Sequence, residues 1–513
     1  MTRRKSRRTP LSQARFPQLD RTRLTNPFAP VEPLDEEQLS LIHDASMRLI
    51  EEQGIQVLGD LALDTFRQAG AKVSADGIVT MDRSLLMEAV SSAPKRFTLT
   101  PRNPDNALDI GDNVIHFGLV SGPPNVHDNI NGRRMGNLAD FERLIKFGQF
   151  FNVISFFGNQ STAPVELPAN NRHLDTLFAC LTLSDKAFLS TGIGAGRIMD
   201  AAKMSAIASN MTLDELMQKP MIMTNININS PRKLDDSMAY GAMQLAMLNQ
   251  PVTVTPFTLM GAMTPATLAG AFVQQNAEAL FGIALLQFTR KGAPVVYGGF
   301  TSNVDMRSGS PTFGTPENSL ANMVGGQLAR YYHLPHRTSA CNASNAVDAQ
   351  AVYESQMALW GSVMGHGNLI YHAAGWLEGG LVASFEKIMV DCEMLQHMSQ
   401  MLQPIKVDLG EIGLEAMQDV GPGGHFFGCD HTMARYENAF YQPFLSDWQN
   451  HENWVAAGSK TTTERATETW QRVLNEFEAP PMDPAIREQL IEYCRKRKES
   501  LGSNEPELEP IMP

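Results

Sequence analysis

Cysteine is scarce in this 513-residue chain: Cys180, Cys341, Cys392, Cys429 and Cys494 lie far apart, with no CxxC pair. An odd, scattered set excludes a disulfide framework and points to free thiols in a reducing compartment. Long apolar runs are missing too. No stretch approaches the roughly 18 residues that a membrane span requires. The opening MTRRKSRRTP is basic but lacks the apolar core of a secretory signal, so the sequence reads as cytoplasmic with no membrane partner. Positive charge is in deficit. A net charge of -13 argues against nucleic acid as a partner, and the basic tail reads as a solvated arm. Phosphate-binding glycine signatures are also absent: no β-rich run leads into GxGxxG or GxxxxGK[ST], and GIGAG (192–196) is the nearest approach.

What remains is an ordinary globular composition, 43% hydrophobic and 19% charged, with 28 methionines that suit soft core packing. Residues 1–35, rich in Arg and Pro, predict an extended arm that wraps on a neighbouring subunit of a homo-oligomer. Residues 36–100 alternate short helix and strand patterns, starting with LDEEQLSLIHDASMRLIEEQG, and predict a small α+β cap. From there to about residue 480 the chain keeps a rhythm. Short β-rich runs occur at 154–160, 187–193, 220–228, 251–258, 294–300, 336–341 and 368–375, with VIHFG (114–118) as the entry strand. Helical patterns fill gaps such as 235–249, 270–290, 317–330 and 348–364. Repeated strand-plus-helix units predict an α/β fold, a (β/α)8 TIM barrel. Residues 481–513 form a C-terminal helix and tail.

In such barrels the chemistry sits past the C-terminal ends of the strands. VVYGGFTSNVDMRSGSPTFGTPEN (295–318) is the most distinctive example: a β-branched run, a long polar loop, then a helix. Together the strand ends offer Asn159, Gln160, Thr191, Asn225, Asn227, Asn229, Thr255, Phe257, Tyr297, Phe300, Cys341, Asn342 and His372. This ring is polar and aromatic but nearly uncharged, which suits a neutral or cationic ligand better than a phosphate. Further on, GPGGHFFGCDHT (421–432) carries His425, Cys429 and His431. Three candidate ligands on one irregular loop are a weak zinc signal, and no metal is expected.

Taken with HFGLVSGPPNVHD (116–128), YGGFTSNVDMRSGSPTFGTPE (297–317), DAQAVYES (348–355) and GPGGHFFGCDHT, the chain resembles the trimethylamine methyltransferase family in its wide sense, over about residues 25–480. That family includes pyrrolysine-containing trimethylamine enzymes and pyrrolysine-free glycine betaine and related quaternary-amine methyltransferases. The resemblance implies a β/α barrel that passes a methyl group to the cobalt of a corrinoid (cobalamin) cofactor carried by a partner protein. No residue here is nonstandard. A tertiary amine must expel an amide-like anion or be protonated first, whereas a quaternary ammonium leaves as a neutral amine, so the sequence looks like a quaternary-amine enzyme.

A trimethylammonium group is suited by aromatic faces, each worth roughly 0.5–2 kcal/mol. Phe117, Tyr297, Phe300, Phe313 and Trp376 lie near strand ends and are the candidate cage. Glu317 adds a balancing charge, with Asp305 and Asn303 shaping its loop. For a betaine carboxylate, Arg307 is the first candidate, His372 the second and His116 the third; His372 and Glu317 are the candidate catalytic residues. The cap and the 421–440 loop are expected to shape the rim that the corrinoid protein reaches. Other readings are a trimethylamine or other methylamine methyltransferase, a zinc-dependent thiol methyltransferase using Cys429, His425 and His431, and a non-catalytic betaine-binding protein.

Overall fold

The computed structural model describes residues 16–158, 160–506 and 509–511, so residues 1–15 of the expected arm and Asn159 lie outside the described residues. Eight parallel strands form the centre: β1 His116–Leu119, β2 Ile154–Gly158, β3 Ala187–Leu189, β4 Thr224–Ile226, β5 Val252–Val254, β6 Val295–Gly298, β7 His336–Ser339 and β8 Leu369–Ala374. Each pairs with its neighbours in chain order, and β8 returns to β1. A bridge between Leu189 and Met223, with the Ser190 N–H donating to the Met223 carbonyl at 2.8 Å, joins β3 to β4 and closes the ring. The barrel expected from the spacing of β-rich runs is therefore the barrel observed.

Alternation along each strand sorts side chains into two layers. Phe156, Ala187, Leu189, Met223, Val296, Leu369 and Tyr371 pack inside the barrel, where Leu99, Leu108 and Ile110 of a hairpin (Phe97–Leu99 with Leu108–Ile110) join them. Phe117, Phe157, Phe188, Ile226, Val254 and Tyr297 belong to the larger core under the helices. Those helices are α1 Leu138–Phe150, α2 Arg172–Leu183, α3 Ala195–Ala208, α4 Asp236–Met247, α5 Leu268–Thr289, α6 Pro316–Tyr331, α7 Ala349–Met364 and α8 Phe385–Met401. Most start on a side-chain cap. Asn137, Asp235, Thr267, Thr315, Asp348 and Ser384 each accept a first-turn backbone N–H that would otherwise lack a partner.

Helix α5 is apolar on nearly every side, and such a helix must be covered on every side. Its outer face takes the helices Glu36–Arg48, Asp60–Ala69 and Arg83–Ser91, with Phe66 stacked on Phe281 at 4.6 Å. The 36–100 region thus lies along the side of the barrel. It meets the mouth at one loop, where strand Ile55–Val57 pairs with Lys233–Leu234 after β4.

Two further segments join the barrel at its base. The described part of the N-terminal arm packs on its own barrel: the Leu19 N–H donates to Gln396 Oε1, Asn26 Nδ2 to the Val363 carbonyl and the Val31 N–H to the Met364 carbonyl. Segment 421–440 follows α8, which runs from mouth to base, so it springs from the base end and not from the rim. At the C-terminus, helix Thr462–Glu476 packs on α8 and α1, and helix Pro484–Leu501 packs on α2 and α3.

Candidate active site

At the mouth, the 299–315 segment carries two short strands. Phe300–Val304 runs parallel to Phe257–Met260, in register Phe257 with Phe300 and Met260 with Asn303, and Pro311–Thr312 adds an antiparallel edge. Gly298 permits this arrangement, because a Cβ there would lie 2.1 Å from Thr255 Oγ1. The small sheet sets Phe257 beside Phe300 at 5.1 Å between centroids and stacks Phe313 on Phe300, also at 5.1 Å. Trp376 meets both Phe300 and Phe313 edge-on, at 6.1 and 5.9 Å. Its indole N–H donates to the Asn342 carbonyl at 3.1 Å, so the ring is fixed from behind. Phe257 and Phe300 remain partly exposed and present the accessible aromatic faces, while Phe313 and Trp376 are buried behind them.

His372 completes the group by breaking the rules of its strand. The β8–β1 register shifts between Ile370 and Ala374, and His372 has φ +54°, which is uncommon for a residue with a Cβ. A bulge of this kind re-aims a side chain. The imidazole lies 4.4 Å from Trp376 and 5.9 Å from Phe300, ring to ring. The Ser121 N–H donates to its Nδ1 at 3.3 Å. Burial, reinforced by the neighbouring Arg337 charge, holds His372 well below the usual histidine range, so the ring is neutral. The Gly375 N–H, between His372 and Trp376, donates to Asp391 Oδ2 at 2.8 Å, and the buried Lys387 ammonium bonds the other carboxylate oxygen.

Arg337 is the residue the sequence reading passed over. It points inward from β7, is 2% exposed, and lies between two rings, 5.1 Å over Phe300 and 4.4 Å over Tyr371. One terminal nitrogen donates to the Gly299 carbonyl at 3.0 Å, and the other lies 3.5 Å from His372 Nε2. Nε has no protein partner, and among the described residues no carboxylate pairs with the guanidinium. Burial lowers its pKa to about 10, which still leaves it charged at neutral pH. Because His372 Nδ1 is already an acceptor, Nε2 of the neutral ring carries the proton. Two donors therefore face each other and share a demand for an acceptor. The signal was present in the sequence: HRTSAC is a strand with a full charge inside it, and alternation turns that charge toward the lumen.

The residues picked from sequence divide accordingly. Phe300, Phe313, Trp376 and His372 come together. Tyr297 faces the helices, where its hydroxyl donates to Asn276 Oδ1 at 3.0 Å, because it sits one residue past the inward-facing Val296. Phe117 takes the same outer layer on β1. His116 lies at the base, its Nε2 2.9 Å from the Asp109 carbonyl oxygen. Arg307 is exposed at the tip of the 305–310 turn, whose backbone N–H groups at 307 and 308 Asp305 accepts. Glu317 is half-buried in the first turn of α6. Of the uncharged strand-end ring, Asn225 and Asn227 bond each other at 3.0 Å, and Asn225 Oδ1 and Thr255 Oγ1 have no partner among the described residues. Also among the described residues, no three His, Cys, Asp or Glu side chains converge as a metal site, and His431 Nε2 faces the Gly410 carbonyl oxygen at 3.1 Å.

Comparison with known proteins identifies the family. The chain is 34% identical over 470 residues to a glycine betaine methyltransferase of Desulfitobacterium hafniense, covering 91% of this chain and 98% of the relative. It is 28% identical over 474 residues to a trimethylamine methyltransferase of the same species, covering 91% and 94%. It is also 28% identical over 398 residues to a proline betaine:corrinoid methyltransferase of Eubacterium limosum, covering 76% and 81%. Among solved structures it is similar to the Methanosarcina barkeri monomethylamine methyltransferase, with TM-score 0.49, 10% identity and coverage of 91% and 94%. The match to the trimethylamine methyltransferase (MTTB) family spans residues 1–502, and the chain belongs to that family.

Proposed function

We propose that this protein moves a methyl group from a quaternary amine bearing a carboxylate, a betaine of the glycine betaine type, to the cobalt(I) of a corrinoid carried by a separate protein. Arg337 carries the reading. A buried guanidinium beside the aromatic faces would repel a ligand that is only cationic, by several kcal/mol at short range in a low-dielectric site. A betaine offers both poles. Its carboxylate suits the facing donors of Arg337 and His372, and its trimethylammonium suits the exposed faces of Phe257 and Phe300. The 34% identity to a protein named for glycine betaine agrees.

The same arrangement sets direction. Arg337 lies deeper, at the level of Tyr371, and the partly exposed phenylalanines lie above it. A betaine held by its carboxylate therefore turns its methyl groups outward, toward the mouth. The partner's cobalt supplies the nucleophile for an in-line displacement, and this chain supplies orientation and charge balance. No proton is required, which fits a neutral, donor-poised His372 acting as an anchor and not as a general acid.

The test is a panel of glycine betaine, proline betaine, carnitine, choline and trimethylamine with free cob(I)alamin, followed by loss of its visible spectrum. The betaines are expected to react and choline and trimethylamine to lag by at least ~100-fold, as expected where a buried polar group loses its partner. Preference for choline or trimethylamine would sink the assignment, and tight betaine binding without transfer would make the protein a receptor.

A further inference from the structure

The turn that ends β8 is held in a conformation its residues do not favour. His372 has φ +54° and Gly375 φ +96°, two positive values within four residues. A non-glycine backbone of that kind persists only where its surroundings over-determine it. Behind the turn lies a line of polar side chains drawn from three elements: Asn342 just past β7, Ser355 on α7, and Lys387 and Asp391 one turn apart on α8. Each is no more than 2% exposed. Lys387 Nζ bonds Asp391 Oδ1 and donates to Ser355 Oγ at 2.9 Å, and Asn342 Nδ2 donates to the same serine oxygen at 3.1 Å.

Both ends of the line finish on the turn. At one end, Asp391 Oδ2 accepts the Gly375 N–H at 2.8 Å. At the other, Asn342 Nδ2 donates to the Trp376 carbonyl, and the Asn342 carbonyl accepts the Trp376 indole N–H at 3.1 Å. The Gly375 backbone is pressed onto α8, where a Cβ would lie 2.6 Å from Ile388 Cγ1. Burying a lysine and an aspartate costs desolvation that their attraction barely offsets, and apolar residues of similar volume often serve stability as well or better. Stability therefore does not account for the pair, whereas its contacts do. We infer that Lys387 and Asp391, acting with Ser355 and Asn342, are positioning residues. They fix the 372–376 turn so that His372 faces Arg337 and Trp376 meets Phe300 edge-on. The use of that turn in catalysis rests on the betaine reading; the positioning itself does not.

The test uses the full chain in two variants that separate stability from positioning. Lys387→Met with Asp391→Leu removes both charges together, so the melting temperature should stay within about 2 °C of wild type. The Gly375 N–H loses its acceptor, and kcat/KM for glycine betaine with free cob(I)alamin should fall by ~10-fold or more, mostly through KM, as for a misplaced site. Asp391→Asn keeps an oxygen for Gly375 but leaves the Lys387 charge uncompensated. It should melt about 5 °C lower and recover KM to within ~3-fold of wild type. Position is read directly from 5-fluorotryptophan-labelled chain, with the Trp376 fluorine signal assigned by its loss in Trp376→Phe. That signal should shift or broaden in the double variant and return in Asp391→Asn, while that of exposed Trp448 stays fixed. An unmoved Trp376 signal in the double variant, or kinetics that follow the melting temperature in both variants, would overturn the role. If the wild-type chain prefers another amine, the betaine reading fails, and the Trp376 signal still decides this inference.

Discussion

The two ends of this barrel are built from the same strands and treat the same residue types in opposite ways. At the base, His116 is buried with its Nε2 on the Asp109 carbonyl, and Leu99, Leu108 and Ile110 fill the space beside it. At the mouth, His372 holds a positive φ, Arg337 is buried without a carboxylate among the described residues, and Asn225 and Thr255 keep partnerless oxygens. The base keeps partnerless atoms too, Arg21 Nη1 and His336 Nδ1 among them, but at the mouth they stand beside the partly exposed rings of Phe257 and Phe300. Cavity size does not tell the two apart, since a 430 Å³ cavity lies at the base. What marks the working end is unmet polar demand set beside accessible aromatic rings.

The largest effect that sharpens this contrast is expected at Arg337. Arg337→Met keeps the apolar stem between Phe300 and Tyr371 and removes the charge. If the guanidinium holds the substrate carboxylate, kcat/KM for glycine betaine should fall by ~100-fold or more, as for loss of one partner of a buried charge pair at about 3 kcal/mol or above. The melting temperature should not fall, because the wild-type cation bears an uncompensated desolvation cost. A drop in stability with unchanged kinetics would make Arg337 a structural residue and erase the contrast.

Next in size is Phe300→Leu. Phe300 touches Phe257, Phe313, His372, Trp376 and Arg337, and its partly exposed face is the one offered to a trimethylammonium group. Losing one cation–π contact of about 1 kcal/mol should raise KM for the betaine ~5-fold while leaving kcat within about twofold. Tyr297→Phe, in the outer layer, should leave KM unchanged and lower stability by about 1 kcal/mol through the lost hydrogen bond to Asn276.

Much of this was legible in advance, and the part that was not has a physical reason. Strand and helix spacing marked all eight strands, because a parallel barrel strand is a short apolar run bounded by turn residues and is hard to mistake when repeated. Phe300, Phe313, Trp376 and His372 were identifiable from their place past strand ends. Tyr297 and Phe117 were not separable from them, since a one-residue change in register sends a side chain to the opposite face. His372 keeps its inward aim only through a bulge, which leaves no mark in the sequence. Arg337 could have been found by asking why a charge sits inside a strand, whereas the more conspicuous polar loop drew attention to Arg307. Segment 421–432 was distinctive in sequence, but its position at the base depends on the direction of α8.

The pH response is shared by the two ends in stability and separates them only in turnover. His116 and His336 are pushed down to about 4 and about 3 by burial, and His372 also lies well below its ordinary value. Each unfolded histidine takes up a proton near pH 6.5 that the folded one refuses, so stability is complete above about pH 6.5 and is lost as pH falls toward 4. The slope is about 1.4 kcal/mol per pH unit for each such histidine. His116→Gln should flatten the slope by one such step without touching betaine kinetics, and His372→Gln should flatten it equally while damaging turnover. Thermal melts between pH 4.5 and 7.5, paired with the cob(I)alamin assay at pH 7, read both quantities.

The smallest expected effect is the most discriminating between the two arginines. Arg307 stands at an exposed turn where Asp305 already accepts the backbone N–H groups of Arg307 and Ser308, so the turn's shape does not depend on the Arg307 side chain. Its guanidinium is in water, where an ion pair with a ligand carboxylate is worth less than ~1 kcal/mol. Arg307→Ala should therefore change kcat/KM with free cob(I)alamin by less than about twofold, against the ~100-fold of Arg337→Met. A loss of similar size at both positions would mean that the 305–310 turn folds down over the substrate during turnover, and the carboxylate would then have two cationic partners.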